Sequence, residues 1–426
     1  MDIADESKDL SRMLRFESTL AEVQAELGLV PSKAAAMIAA CAKVDFLDVE
    51  KLKIDIRLGG NAAIPLVQQL TRIVKNNDVE SSRYVHLGAT SQDVIDTATV
   101  LEIQEWIVWL EQSMATLAAH LAKGAKKYQE TVMIGRTLLQ QAKPITFGLK
   151  LATYLDALLR HQIRLKEIKN RVLVLQLAGA VGAGNTFISQ EVVERMAKKL
   201  NLSATGSWQT NRDSMVEWAN FLAILTGFCG KIATDISLLM QTEIAEVLEG
   251  AAEGKGGSST MPHKRNPVTC ASILANAART PYLSATMLAC LTQEHERSAG
   301  KWHAEWDTLK ELHQLAAGAL EKTIDLISQL EVNAQQMKQN LELTKGLIYA
   351  ENVSLALSKS LGKMAAHEWV EKACKQAIKS GIHLKEICKQ GNIEVENLDD
   401  LFSPEKSIGN SLERVQNILN SYENTL

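Results

Sequence analysis

Apolar residues recur along much of the chain at helical spacing. Ile103, Ile107, Leu110, Met114, Leu117 and Leu121 step by 4, 3, 4, 3 and 4, and Leu222, Leu225, Cys229, Ile232, Ile236 and Leu239 step by 3, 4, 3, 4 and 3. Steps of three and four put one apolar side chain per turn on a single stripe of an α-helix. Each stripe predicts a helix of about 30 residues, roughly 45 Å long. Helices of that length with a continuous apolar seam pack in bundles, often between subunits. Runs of period two are few and no Asn-Gly turn occurs, so strands are not expected. Only seven prolines punctuate the 426 residues, and none lies between Pro144 and Pro262. Pro144 predicts the opening of a helix through Leu151, Leu155 and Leu158, and Pro267, after Asn266, predicts another. The expected fold is all-α: a helical N-terminal domain over 1–95, a long-helix bundle over 96–335 that mediates oligomerisation, and a smaller helical C-terminal domain over 336–426.

One stretch breaks the helical pattern. Residues 250–267, GAAEGKGGSSTMPHKRNP, hold four glycines and two prolines. A glycine-rich loop of that length inside a packed chain is either a linker or functional. A bare linker does not account for the serine pair Ser258-Ser259 followed by His263, Lys264, Arg265 and Asn266. Asn266 stands where a helix cap belongs, and a helix N-terminus offers free N–H donors and partial positive charge. The segment therefore suits a carboxylate, or a serine whose hydroxyl is pushed toward the alkoxide by positive potential.

Composition narrows the partners. Asp and Glu number 50 against 46 Lys and Arg, a net charge of −4. That gives no reason to expect nucleic acid or an anionic membrane as partner, and an anionic substrate must be met by local positive charge. Six scattered cysteines form no CxxC pair and no metal-ligand spacing with histidine, so neither a metal nor a disulfide framework is expected. The acidic, polar start MDIADESKDL reads as no signal peptide, and no apolar run is seen to approach the roughly 20 residues of a membrane helix. The expected location is the cytoplasm.

GSSTMPHKRN, residues 257–266, agrees at every fixed position with the GSSxMPxKxN signature, and on it the chain is identified as a member of the fumarase/aspartase superfamily. YVHLGATSQD at 84–93 resembles that family's first active-site segment, with His86, Thr90, Ser91 and Gln92 at its polar positions. GRTLLQQAKP at 135–144 resembles the second, with Thr137 and Gln140 matching. The resemblance implies a homotetramer with a central helical core and sites shared between subunits. It also implies that Ser258 exchanges the proton with carbon, that Lys264 and Asn266 bind the substrate carboxylate, and that no metal or organic cofactor takes part. His86 joins Ser258 and Lys264 as a catalytic candidate. His263 and Arg297 are candidates for holding further carboxylates.

Two departures choose among the branches. The histidine of the lyases' second segment is replaced by Leu138, and Gln141 takes the place of a second histidine found in adenylosuccinate lyases. An enzyme that expels an amine or hydroxide needs an acid to protonate the leaving group. A carboxylate, with a pKa near ~4, leaves unaided and attacks without a base. Trp306, within QEHERSAGKWHAEW at 293–306, stands where adenylosuccinate lyases carry a phosphate-binding arginine, and it cannot pair with a phosphate. Both features point to the lactonising, cycloisomerase branch acting on a small polycarboxylate. A fumarate-releasing lyase of the adenylosuccinate type is the alternative, and a catalytically silent scaffold is opposed by the intact Ser258 and Lys264.

Overall fold

A computed structural model describes residues 3, 5–250, 256–257, 261, 263–391 and 395–425. Ser258, the principal catalytic candidate, lies outside the described residues. The chain begins with α1 (Glu6–Glu26), α2 (Ser32–Cys41), α3 (Val49–Gly59) and α4 (Ala63–Asn77). The long α5 (Ser91–Lys127) leads to a hairpin, β1 (Val132–Thr137) and β2 (Gln140–Thr146), and then α6 (Phe147–Val172) and α7 (Gln190–Leu200). After α8 (Asp213–Leu239) and the short β3 (Val247–Leu248) come α9 (Val268–Ala289), α10 (Lys301–Ser328) and β4 (Glu331–Val332). The chain closes with α11 (Ala334–Asn340), α12 (Ala350–Leu361), α13 (Lys363–Ser380), α14 (Leu384–Gln390), α15 (Leu398–Leu401) and α16 (Ser411–Glu423).

The all-α reading holds, and both heptad stripes lie on long helices. Ile103 through Leu121 are buried on α5 and Leu222 through Leu239 are buried on α8. Local chemistry sets several helix ends. Asp5 caps α1 by accepting from Ser7 N, Ser189 caps α7 by accepting from Val192 N, and α3 stops at Gly60, whose φ of 72° is one that glycine adopts without strain.

Contacts group the chain into two compact units that are not successive stretches. The first is Met1–Gln112, Gln162–Gly227 and Asn276–Gly318; the second is Ser113–His161, Phe228–Ala275 and Ala319–Leu426. In the first, Phe16, Leu20 and Val23 of α1 pack with Leu66 and Leu70 of α4 and Met196 of α7. In the second, Tyr349, Val353, Val370, Leu384 and Phe402 form a core that Ile134 of β1 joins. The six cysteines are free, and all but Cys374 are buried.

Two expectations are corrected. Pro144 opens no helix: it lies in β2 opposite Ile134, and α6 starts at Phe147. A two-stranded sheet has only edge strands, where a residue without an N–H is tolerated. The hairpin escaped notice because its turn is Leu138-Leu139, both left-handed at φ 48° and 65°, where Asn-Gly is the usual choice. Further, α8 is long and apolar enough by length and composition to cross a membrane. It is largely a core helix, with 56% of its most apolar window buried, and Asp235 near its end is paired with Lys150 and Lys231.

The first unit carries a buried ionic cluster. Arg212, just before α8, donates to Asp96 of α5 and to Glu305 of α10, and all three side chains are at most 4% exposed. Trp302 Nε1 donates to Asp96 Oδ1 at 2.9 Å and Gln293 Nε2 to Glu305 Oε1 at 2.9 Å. Burial opposes the guanidinium charge, but the two carboxylates more than offset it and raise Arg212. Removing one partner of such a cluster leaves a buried charge uncompensated, at a cost of about 3–5 kcal/mol. Arg212→Met should therefore lower stability by about that amount, read as a shift in the urea denaturation midpoint; a loss below about 1 kcal/mol would show that the cluster contributes little.

Candidate active site

The segment before α5 is shaped by the carboxylate of Asp93. It accepts from Thr90 N at 3.1 Å, Gln176 Nε2 at 3.1 Å, Ala178 N at 3.0 Å and Gly179 N at 2.9 Å. Burial pushes Asp93 up to about 6 while these four hydrogen bonds hold it down. Around this anchor, His86 sits at φ 60° and Gly88 at φ 84°. A Cβ on Gly88 would come within 2.8 Å of Asn185 Oδ1 and 2.9 Å of Phe187 Cβ, so the close approach requires glycine.

His86, Thr90 and Ser91 line an open cleft of ≈ 370 Å³ together with Ile64, Val67 and Gln68 of α4. Thr90 Oγ1 accepts from Arg297 Nη2 at 2.8 Å, and Gln92 Oε1 accepts from Arg297 Nε at 3.1 Å. His86, Thr90, Gln92 and Arg297 are thus brought to one region. Gln92, however, is fully buried, and its Nε2 donates to Gln209 O at 2.8 Å and to Asp96 Oδ2 at 3.1 Å. Its amide has no face left for solvent. It aims Arg297, whose Nη1 has no hydrogen-bond partner among the described residues. The guanidinium is consequently tied back to the Arg212 cluster by way of Gln92 and Asp96.

The remaining candidates fall in the second unit. Thr137 and Gln140 are exposed and close the hairpin turn as a register pair. Beneath them Arg136 donates bidentately to the buried Glu246, at 3.0 and 2.6 Å, and Asn340 Nδ2 donates to Glu246 at 2.8 Å. Leu138 and Leu139 project at 96% and 76% exposure. Gln141 is held by its donation to Asn340 O at 3.1 Å.

The start of α9 departs from expectation. Its amides do not await a substrate: the Glu249 carboxylate accepts from Thr269 N at 3.1 Å and Cys270 N at 2.8 Å. Burial would raise Glu249, but these hydrogen bonds win and lower it. Arg265 is also engaged, donating to Glu331 at 3.0 and 2.9 Å and to Glu249 O. Lys264 is different, being exposed and without an ion pair among the described residues. His263 is exposed, and Asn266 N donates to Gly256 O at 2.9 Å. Of Lys264 and Arg265, Lys264 is the one left for an anion among the described residues.

Among the described residues no group of three or more His, Cys, Asp or Glu is placed to hold a metal ion. Sequence reasoning missed Glu17 and Glu249. Glu17 Oε1 lies 2.7 Å from His86 Nδ1, and a signal for it existed: Met13, Glu17, Leu20 and Gln24 follow the apolar stripe of α1, so two polar side chains occupy core positions. For Glu249 there was no such signal.

Residues 2–281 match the lyase family model and residues 346–418 match that of the adenylosuccinate lyase C-terminus. The chain belongs to the fumarase/aspartase superfamily of lyases. It is 47% identical to 3-carboxy-cis,cis-muconate cycloisomerase of Acinetobacter baylyi, over 96% of this chain and 93% of that one. It is 45% identical to the enzyme of the same name from Pseudomonas aeruginosa, over 96% and 91%. The crystal structure of 3-carboxy-cis,cis-muconate lactonizing enzyme from Pseudomonas putida superposes with a TM-score of 0.94 at 41% identity, covering 99% of this chain and 96% of that one.

A lysine cannot hold Thr90 and Gln92 while offering a further donor in a fixed plane. Arg297→Lys should therefore raise KM for a polycarboxylate substrate about tenfold, roughly 1.4 kcal/mol, with folding unchanged by circular dichroism. Steady-state kinetics tests this, and an unaltered KM would remove Arg297 from the binding site.

Proposed function

We infer that this chain is an isomerase that closes 3-carboxy-cis,cis-muconate to 4-carboxymuconolactone, a step of protocatechuate breakdown in the cytoplasm. The observation that carries the reading is full-length similarity above 40% identity to enzymes of that activity, joined to a hairpin tip that bears Leu138 where the lyases carry an acid. One substrate carboxylate forms a C–O bond to an alkene carbon, the π bond breaks, and a proton is delivered to the carbon α to another carboxylate. The nucleophile is already ionised, so no base is needed for attack. The negative charge that develops on the α-carboxylate during addition needs fixed positive partners, and such preorganised partners are each worth about 10² to 10³ in rate.

Lys264 and Arg297 supply two of these charges, and His86 a further donor. Thr90, Ser91, Thr137, Gln140, His263 and Asn266 complete the substrate contacts. Ser258 exchanges the proton with carbon. The long helices α5 and α8, each with a continuous apolar stripe, hold a homotetramer with sites shared between subunits. No metal or organic cofactor enters the reaction.

Mixing the purified protein with 3-carboxy-cis,cis-muconate should bleach the diene absorbance. Release of fumarate from adenylosuccinate with no effect on the diene would assign the chain to the lyases instead. In the same assay Ser258→Ala should cut turnover by at least about 10³, some 4 kcal/mol of transition-state stabilisation, while His263→Ala, which removes a substrate contact, should raise KM and leave turnover little changed. The reverse pattern would make His263 the carbon acid.

A further inference from the structure

Helix α1 grips the His86 segment at two points, two helical turns apart on one face. Gln24 Nε2 donates to Leu87 O at 2.9 Å and to Phe187 O at 3.0 Å, fixing the backbone. One heptad earlier, Glu17 Oε1 meets His86 Nδ1 at 2.7 Å, with the Glu17 side chain fully buried and that of His86 20% exposed. The other oxygen, Glu17 Oε2, has no hydrogen-bond partner among the described residues.

The proton in this contact can lie on either group. A neutral Glu17 would carry it on Oε1 and donate to Nδ1 of a neutral imidazole. An ionised Glu17 with a neutral imidazole would be a buried charge without a counter-ion. The contact of 2.7 Å is in the range of the charge-assisted bond between a carboxylate and an imidazolium. Burial works against the imidazolium, but the Glu17 charge and hydrogen bond, with a smaller contribution from Asp93, raise His86 above its ordinary value. The other cleft groups near His86, Gln68 of α4 and Ser91 of α5, are neutral, and Arg297 is engaged with Thr90 and Gln92.

We propose that Glu17 is a positioning residue that keeps His86 as an imidazolium with Nδ1–H committed to helix α1 and Nε2–H presented to the cleft as a charged donor for a substrate carboxylate. Nε2 has no partner among the described residues, and the ring borders the cleft that Thr90 and Ser91 line. The backbone at His86 is left-handed, at φ 60°. This assignment rests on the reading of the cleft as the substrate site, but its first test does not need substrate.

Histidine ring titration by NMR on protein labelled at histidine 13Cε1, with His86 assigned by its loss in His86→Asn, gives the charge state directly. Wild-type His86 should titrate above the ordinary ~6.5; a midpoint at or below that value overturns the proposal. Glu17→Gln should lower the midpoint by about one pH unit or more, and Glu17→Asp, which keeps the charge, should lower it less. An unchanged midpoint in Glu17→Gln also overturns the proposal. With the lactonisation assay, Glu17→Gln should raise KM about tenfold at pH 8 and recover most of the loss at pH 6, where His86 is protonated again, with kcat altered little. A KM deficit equal at both pH values would mean that Glu17 only packs. Absence of lactonisation by the wild-type protein would overturn the functional reading and leave the titration result standing.

Discussion

Arg212 holds the first unit to one arrangement. It lies before α8, yet its partners are on α5 and α10, so three separate stretches of chain must meet in register before any of the three charges is satisfied. A guanidinium suits the task because its fork serves two carboxylates at once and it cannot discharge itself by losing a proton. Trp302 and Gln293 take up carboxylate lone pairs that Arg212 does not reach, as a buried cluster demands. From Asp96 the order spreads outward: the carboxylate requires a donor from Gln92, which sets that amide's orientation and leaves its oxygen as the acceptor for Arg297. The half-buried Arg297 thus acquires a fixed direction from a buried ionic cluster.

Positive charge in this protein is sorted rather than abundant. The chain is net negative, and several of its cations near the candidate segments are already paired. Arg212 is structural, Arg136 supports the hairpin through Glu246, and Arg265 is neutralised by Glu331. Glu249 occupies the helix start that a substrate anion would otherwise favour. Lys264 in the signature loop and Arg297 beside Thr90 and Gln92 form no ion pair among the described residues. For a substrate bearing several carboxylates, a few uncommitted cations discriminate better than a general positive field.

The long helices were legible because burial along α5 and α8 repeats at the helical period, and that pattern needs no knowledge of the fold. The signature loop was legible as chemistry because serines, glycines and cations do not cluster so by accident. The hairpin was not: leucines at its turn carry none of the punctuation by which hairpins are recognised, and Pro144 suggested a helix. Partner assignments were beyond reach for a related reason. Gln92 matched a polar motif position, but whether a polar side chain faces ligand or core depends on Asp96 and Gln209, the latter over a hundred residues away. Glu17 sits at a core position of the α1 stripe, where a polar side chain marks a buried partner but does not name it.

The Leu138-Leu139 turn has an evolutionary implication. Left-handed backbone at residues with side chains costs roughly 1–2 kcal/mol each, so asparagine and glycine would serve local folding better. A turn that tolerates leucine there is one whose geometry is dictated from below, by the Thr137–Gln140 closing pair and the Arg136–Glu246 anchor, and not by the residue at its tip. Such a tip is an interchangeable position. Histidine there gives a lyase its acid and leucine withdraws it, while the strands beneath are unaltered. Divergence from carbon–nitrogen and carbon–oxygen elimination to lactone closure could then proceed by exchange at one socket, without rebuilding the scaffold that holds it.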